Sequence, residues 1–192
     1  EYIESDAGAV ESVEQMAEPE QYGALLGKLH KSLAKLDYSP TFSLAHFHDT
    51  DYYAKTLEAV KDVLPNNTAP FADELLVAYR STPKPAPAAE QLIHGDPRTA
   101  NILHRDGEPF TFIDWDTLMK GSIWMDVGDM LRSLSENALY DQQPVPIQTL
   151  LAVAEGYRSV AQPETDSVAF GTDALRAAQI IALELSMRFV AD

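Results

Sequence analysis

The chain has 192 residues, of which 45% are hydrophobic, enough for one substantial domain or two small ones. Its 30 acidic and 14 basic residues give a net charge of −16, which argues against a surface for nucleic acids or anionic membranes. Cysteine is absent, which excludes disulfides and thiolate metal sites, and no apolar run reaches membrane-spanning length. We expect a cytoplasmic protein.

The first half of the chain is predicted to be mainly helical. Residues 6–20 are acidic and poor in large apolar side chains, which favours a loop or a short helix. The clearest amphipathic helix spans 21–36, and two more are predicted at 51–64, with Asp51 as a cap, and at 71–79. The apolar face of the first helix consists of Leu25, Leu29, Leu33 and Leu36.

Two stretches between these helices are predicted to be irregular. Residues 37–50 contain His46 and His48, and a metal site there is disfavoured because no third ligand follows at a clear spacing. We expect a loop with solvent-exposed histidines instead. Residues 82–87, the proline-rich connector, are predicted to form a stiff surface loop rather than a domain boundary.

The stretch from 92 to 116 carries the candidate chemistry. Two apolar runs, 102–103 and 110–113, flank a turn at Asp106-Gly107 and predict a β-hairpin. The hairpin would return Asp114 to the neighbourhood of Asn101, beside the loop that holds Asp96. Two carboxylates and an amide offer oxygen ligands alone, and such a set suits Mg²⁺.

Three further helices are predicted after the hairpin, at 122–134, 147–160 and 173–190. The predicted architecture is therefore a mostly helical lobe with one or two small hairpins, of class α+β. The predicted apolar seam of the last helix consists of Leu175, Ala178, Ala182, Leu185 and Phe189.

The polar residues of the central stretch carry a family resemblance. His94-Gly95-Asp96, followed after four residues by Asn101, resembles the protein-kinase catalytic loop His-Arg-Asp-x-x-x-x-Asn. The His-Gly-Asp form, followed by Ile-Asp-Trp-Asp at 113–116, is similar to the aminoglycoside phosphotransferase and choline kinase superfamily. Residues 113–121 and 126–132 resemble the N-acetylhexosamine 1-kinase branch of that superfamily. The resemblance is strong over residues 90–135 and implies a protein kinase-like fold.

The resemblance also implies roles for individual residues. Asp96 would accept a hydrogen bond from the hydroxyl of the substrate. Asn101 and Asp114 would hold Mg²⁺, together with the phosphates of bound ATP. Asp116 would be either a further ligand or a partner of the ligands. Arg98 would approach phosphate or substrate, or lie at the surface.

A second group of residues is expected to support the site. His94, Asp126 and Asp129 would hold the catalytic loop by hydrogen bonds, and metal binding by the two acids is the weaker reading. Arg188 corresponds to an arginine near the sugar in the amino-sugar kinases, although a surface position on its helix is the more ordinary expectation.

The resemblance bears on the start of the chain as well. Residues 1–5, Glu-Tyr-Ile-Glu-Ser, resemble the segment that joins the two lobes of these enzymes, so the backbone of Glu1 and Ile3 would contact adenine. No glycine-rich phosphate loop is found. We therefore expect residues 1–5 to be the hinge and 6–192 the carboxy-terminal catalytic lobe, with the amino-terminal kinase lobe missing. Such a chain alone should bind Mg-ATP weakly and be inactive.

The expected function is ATP-dependent phosphorylation of a small-molecule hydroxyl, with an amino sugar as the leading acceptor. The acidity of the chain favours a cationic acceptor such as an aminoglycoside, and choline and homoserine are further superfamily substrates. A nucleotide-binding pseudokinase should have lost Asp96, Asn101 or Asp114, and all three are present. A helical interaction module with a chance motif is the remaining alternative.

Overall fold

The computed structural model of the chain describes residues 18–141, 144–162 and 164–192. The predicted hinge, residues 1–5, lies outside the described residues. The helices are α1 (Pro19–Leu33), α2 (Thr50–Val60), α3 (Ala69–Ser81), α4 (Ile123–Asp141), α5 (Ile147–Ala161) and α6 (Ser167–Ala191). The strands are β1 (Glu90–Ile93), β2 (Ile102–Arg105), β3 (Glu108–Phe112) and β4 (Met119–Ser122).

The strands form two separate antiparallel pairs. β2 and β3 make the predicted hairpin, with Ile102 opposite Phe112 and a turn at Asp106-Gly107 in which both residues have positive φ. β1 pairs with β4, so that Ile93 lies opposite Met119. This second pair joins segments on either side of the hairpin and brings the 94–101 loop beside residues 114–117. The predicted α+β class with a mainly helical body is confirmed.

The main core lies between α1, α4, α5 and the β2–β3 hairpin. α1 packs along α5 at short range, because two glycines remove the side chains that would separate them. A Cβ at Gly23 would lie 1.8 Å from the carbonyl oxygen of Val153, and one at Gly156 would lie 1.9 Å from that of Glu20. The core side chains are Tyr22, Leu26, Ile102, Phe112, Ile123, Val127, Met130, Leu131, Leu134, Val153, Ala154, Tyr157, Phe170 and Ala174.

A smaller core joins α2 and α3 to the end of α6, through Leu57, Ala72, Leu76 and Met187. The proline-rich connector between α3 and β1 is held on the body by two hydrogen bonds. Ala86 N donates to Asp173 Oδ2 at 3.1 Å, and Trp124 Nε1 donates to Ala86 O at 2.7 Å. No helix in the described ranges is both long and apolar enough to cross a membrane.

Two details of the first two predicted helices are wrong. α1 ends at Leu33, and Leu36 beyond it is 57% exposed. α2 is capped by Asp49, whose carboxylate accepts from Tyr52 N at 3.0 Å, while Asp51 instead accepts from the hydroxyl of Tyr79 at 2.6 Å. The capping residue is the one just before the first helical turn, as the geometry of orphan amides requires.

The predicted seam of α6 is also wrong in its register. Phe189 is 72% exposed, whereas Ala174, Ala177 and Ile181 are buried. α6 contacts four other helices and buries two charged residues, Asp173 and Glu184, so its inward side is not a simple apolar stripe. The periodicity of apolar residues is therefore a poor guide to which side of this helix is buried.

The close approach of α1 and α5 can be tested by Gly23→Ala. The added methyl group would overlap backbone atoms of α5, so we expect the free energy of unfolding to fall by about 1–3 kcal/mol. Gly171→Ala in α6 is the matched control, because its Cβ would meet only the mobile end of the Leu151 side chain, and alanine favours helix. Urea unfolding followed by circular dichroism measures both. Equal stability of the two variants would contradict the packing described.

Candidate active site

The 94–101 loop begins where β1 ends and turns sharply at Gly95, whose φ is +89°. A Cβ at this position would lie 2.4 Å from the carbonyl oxygen of Thr117, so glycine is required for two independent reasons. The hydroxyl of Thr117 donates to the carbonyl oxygen of His94 at 2.9 Å. The loop is thus packed directly against the segment that follows Asp114.

The carboxylate of Asp126, in the first turn of α4, binds the backbone of the turn at Gly95. It is fully buried and accepts from the backbone amides of His94 and Gly95, each at 2.8 Å. It also pairs with His30 Nε2 at 2.8 Å, and His30 Nδ1 pairs with the hydroxyl of Tyr157 at 2.8 Å. Burial alone would raise the pKa of Asp126, but these hydrogen bonds and the nearby charge of His30 outweigh burial and keep it below its usual value.

The buried ring of His94 connects the two halves of the site. Its Nε2 lies 3.0 Å from the carbonyl oxygen of Ile113, and its Nδ1 accepts from Asp96 N at 3.3 Å. A neutral ring with its proton on Nε2 satisfies both contacts. Burial lowers the pKa of His94, which favours this neutral form. The ring therefore fixes the backbone of Asp96 relative to the residue before Asp114.

Asp96 and Asn101 are held together at the other end of the loop. Asn101 Nδ2 donates to the carbonyl oxygen of Asp96 at 2.9 Å and to its carboxylate Oδ2 at 3.1 Å. This leaves the amide oxygen of Asn101 for another partner. Burial, followed by the negative charge of Asp129, raises the pKa of Asp96, and the charge of the exposed Arg98 partly opposes the rise.

Asp114 and Asp116 lie on the exposed side of the loop. The backbone amide of Ile113 donates to Asn101 O at 2.9 Å, and this bond brings the ends of the hairpin together as predicted. Asp114 has a left-handed backbone, with φ +67°. The adjacent carboxylate of Asp116 raises the pKa of Asp114, and the charge of Asp96 adds to the rise. The carboxylates of Asp96 and Asp114 therefore lie within electrostatic range of each other.

These residues fit a magnesium ion. Asn101 keeps an amide oxygen, and Asp114 and Asp116 are crowded carboxylates whose mutual repulsion a cation would relieve. In the described part of the chain, no group of three or more His, Cys, Asp or Glu side chains could hold a metal by itself. Mg²⁺ does not require such a group, since one or two protein carboxylates and the phosphates of a nucleotide commonly hold it.

Two further predicted site residues, Asp129 and Arg188, differ in their exposure to solvent. Asp129 is buried, and its Oδ1 accepts from Arg132 Nε at 2.8 Å, while its Oδ2 has no hydrogen-bond partner among the described residues. Burial raises the pKa of Asp129. Arg188 is exposed in the last turn of α6, within electrostatic range of Tyr53 in α2.

The sequence analysis missed His48. We expected exposed histidines in this loop, which is wrong for His48, whose side chain is only 5% exposed. His48 Nε2 lies 2.7 Å from the carbonyl oxygen of Gly95, and Nδ1 lies 3.2 Å from Glu184 Oε1. His46 is exposed as expected and stacks on Tyr52. The partners of His48 are 47 and 136 residues away, so no local pattern could have revealed them.

The role of Asp126 in stability can be tested by Asp126→Asn. The NH₂ group of asparagine would face the N–H donors that Asp126 now accepts from, and the negative charge beside His30 would be gone. We therefore expect the free energy of unfolding to fall by about 3–5 kcal/mol. The folded-state pKa lies below the unfolded value of 3.8, so the contribution of the carboxylate is present above pH 3.8 and is lost at lower pH. Urea unfolding from pH 7 to about pH 2 should show a constant difference between the two proteins above about pH 4 and a shrinking difference below pH 3.8. A difference that stays constant below pH 3.8 would contradict the assigned pKa direction.

Comparison with known proteins identifies the family of the chain. The model of the family described as "Phosphotransferase enzyme family" matches residues 1–166. An aminoglycoside phosphotransferase from Streptomyces rimosus, solved with ADP and streptomycin, is 15% identical with a TM-score of 0.45, over 91% of this chain and 67% of that one. A choline/ethanolamine kinase family protein from Mesorhizobium loti is 19% identical with a TM-score of 0.37, over 92% and 70%.

The family match covers the 94–101 loop, the hairpin and the first five helices. It confirms the resemblance on which the expected protein kinase-like fold rested. The assignment to the N-acetylhexosamine 1-kinase branch stays a prediction. The chain belongs to the phosphotransferase enzyme family.

Proposed function

We propose that this chain provides the catalytic loop for transfer of a phosphoryl group from ATP to a hydroxyl of a small molecule. The observation that carries the proposal is the joint fixation of Asp96 and Asn101, in which one amide group binds both the backbone and the carboxylate of Asp96. Phosphoryl transfer has a loose transition state, so precise orientation of the acceptor contributes more than a strong base. The rigid attachment of this loop to Asp126 and His94 supports that role.

Asp96 is proposed as the catalytic residue. Its carboxylate would accept a hydrogen bond from the acceptor hydroxyl and receive the proton as the bond to phosphorus forms. Burial and the charge of Asp129 raise its pKa, which makes the carboxylate a better proton acceptor than an exposed aspartate. Arg98 would meet phosphate or acceptor, a role supported by its exposure and its electrostatic effect on Asp96.

Asn101 and Asp114 are proposed as the magnesium ligands, with Asp116 as a further ligand or as the partner of Asp114. Bound Mg²⁺ supplies positive charge that neutralises the phosphates of ATP. Asn101 would bind through its amide oxygen, because its nitrogen is already used by Asp96. With a net charge of −16, such a cation would carry much of the charge compensation for binding a polyanion near these acids, and basic groups of the amino-terminal lobe could add to it.

We also propose that residues 1–5 form the interlobe hinge, with adenine held by the backbone of Glu1 and Ile3, and that 6–192 is the carboxy-terminal lobe. The motif Glu-Tyr-Ile-Glu-Ser at residues 1–5 supports this assignment. The proposal predicts weak Mg-ATP binding and little turnover by the 192-residue chain until an amino-terminal kinase lobe is joined to it.

The proposed acceptor is an amino sugar, on the basis of the motif residues at 113–121 and 126–132. An aminoglycoside is the second candidate, because the acidity of the chain favours a cationic acceptor. Both acceptors offer a hydroxyl to the same carboxylate of Asp96, so the catalytic residues do not distinguish them. Turnover with a panel of acceptors distinguishes the two candidates.

The catalytic assignment predicts that Asp96→Asn lowers kcat by about 10²–10⁴-fold, because the amide cannot accept the proton. ADP release is measured with Mg²⁺ and a panel of amino sugars, aminoglycosides, choline and homoserine, with the chain alone and with an amino-terminal lobe joined. Asp106→Asn is the matched control, since it makes the same change at the exposed hairpin turn, where asparagine tolerates the positive φ. Equal loss in both variants would contradict the role of Asp96, and tight nucleotide binding without turnover of any acceptor would favour a pseudokinase.

The metal assignment predicts a different signature for Asp114→Asn. Removing one charged ligand should raise the Mg²⁺ concentration for half-maximal turnover at least about tenfold. The same titration of Asp116→Asn decides whether Asp116 is a ligand, with a similar shift, or a partner, with a smaller one. An unchanged magnesium requirement in Asp114→Asn would exclude Asp114 as a ligand.

A further inference from the structure

His48 lies where an open cavity meets the back of the 94–101 loop. The cavity has a volume of about 330 Å³, and its wall includes His48, Lys84, Trp124 and Ile181. It lies between the proline-rich connector, the start of α4 and the middle of α6. The side chain of His48 is only 5% exposed, and the residue contributes to the wall of this cavity.

Both ring nitrogens of His48 have buried partners. Nε2 lies 2.7 Å from the carbonyl oxygen of Gly95, the residue immediately before Asp96. Nδ1 lies 3.2 Å from Glu184 Oε1, and the other oxygen of Glu184 accepts from the hydroxyl of Thr50. Two acceptors on two ring nitrogens require two N–H groups, which is the cationic form of histidine. A neutral ring would leave a lone pair facing either a carboxylate or a carbonyl.

The surrounding charges favour the same form. Burial alone would lower the pKa of His48, but the contact with Glu184 and the more distant charge of Asp129 raise it to about 9. Lys84 also lies near His48, but its positive charge is exposed and is balanced by the carboxylate of Asp51, whose Oδ1 lies 3.8 Å from Lys84 Nζ. The ionisable side chains on the elements packed around His48 are Glu184 of α6, Asp129 of α4, Lys84 of the connector, Tyr79 of α3, Asp96 of the 94–101 loop, and Asp49 and Asp51 at the start of α2.

The peptide groups of Gly95 are thus held from two sides. Asp126 accepts from its amide, and His48 donates to its carbonyl oxygen, which belongs to the peptide bond leading into Asp96. Rotation of that peptide would turn the Cα–Cβ bond of Asp96 directly. The left-handed backbone of His48, with φ +56°, is a strained conformation for a residue with a Cβ, and its contacts compensate for it.

We propose that the cationic His48, held by Glu184, is a positioning residue that sets the orientation of Asp96 through the carbonyl oxygen of Gly95. This inference rests on the proposed role of Asp96 for its catalytic meaning, although the coupling between the two residues is independent of any activity. Loss of the proton from His48 places a lone pair against Glu184 or Gly95 and releases the peptide before Asp96.

The sign of the pH effect follows from the raised pKa. Because the folded-state pKa of about 9 exceeds the ordinary value of 6.5, the contribution of the cation is complete below pH 6.5 and is lost as the pH rises through 9. Turnover should therefore fall on the alkaline side with a midpoint near pH 9. In Glu184→Gln the charge that supports the cation is gone, so the midpoint should move toward 6.5 or below.

The test measures Asp96 directly in the 192-residue chain. The imidazole nitrogens of His48 and the amide and carboxyl resonances of Asp96 are followed by NMR from pH 5 to pH 10. In the wild type, we expect Asp96 to show a transition that coincides with the titration of His48. The transition should move to lower pH in Glu184→Gln and disappear in His48→Gln, whose amide keeps a neutral donor near Gly95.

His46→Gln is the matched control, because His46 lies on the same loop with the same left-handed backbone but is exposed. It should leave the alkaline transition of Asp96 unchanged. In the active form with a joined lobe, His48→Ala should lower kcat about 10–100-fold with little change in KM, and His48→Gln should restore much of the loss.

Titration of His48 near pH 6.5 in the wild type would overturn the inference. Asp96 resonances that do not change as His48 titrates would overturn it as well. The NMR result decides this whether or not an acceptor is found. Failure of Asp96→Asn to reduce turnover would instead overturn the proposed function and leave the coupling between His48 and Asp96 standing.

Discussion

The arrangement of the whole site depends on one buried carboxylate. Asp126 lies in the core at the start of α4 and accepts hydrogen bonds from two successive amides of the 94–101 loop. Its third partner, His30, belongs to α1, and Tyr157 of α5 completes the chain of contacts. An unpaired charge in this position would cost several kcal/mol, so the loop and the three helices can adopt only the arrangement that satisfies it.

The 94–101 loop is held in place mainly through its backbone. The backbone of His94 and Gly95 is held by Asp126, by Thr117 and by His48, whereas the side chain of Asp96 is bound mainly by Asn101. The rigid elements therefore hold the peptide, and the carboxylate of Asp96, the proposed catalytic group, is only partly buried. Burial and the charge of Asp129 raise the pKa of Asp96, whereas the carboxylate of Asp116 raises that of Asp114, and a bound cation would lower both.

Local signals predicted much of this arrangement. The Asp106-Gly107 turn and its apolar flanks placed the hairpin, and the spacing of Asp96, Asn101 and Asp114 placed them at its open end, as the hydrogen bond from Ile113 to Asn101 now shows. Most helix ends were predicted within about four residues, because caps and apolar periodicity depend on residues that are close in sequence. Two ends were missed: α4 continues to Asp141, past the predicted 134, and α6 begins at Ser167, before the predicted 173. The buried face of α6 was missed, since packing against four helices overrides a single apolar stripe.

The sequence by itself determined the family, the α+β class and the set of polar residues around Asp96. Each of these follows from residue order over short distances, where turn chemistry and motif spacing act. The tertiary structure alone decided which buried groups meet: His30 with Asp126 across 96 residues, and His48 with Glu184 across 136. Such pairs exist because a buried polar group without a partner is costly, and the partner depends on how the helices pack rather than on neighbouring residues.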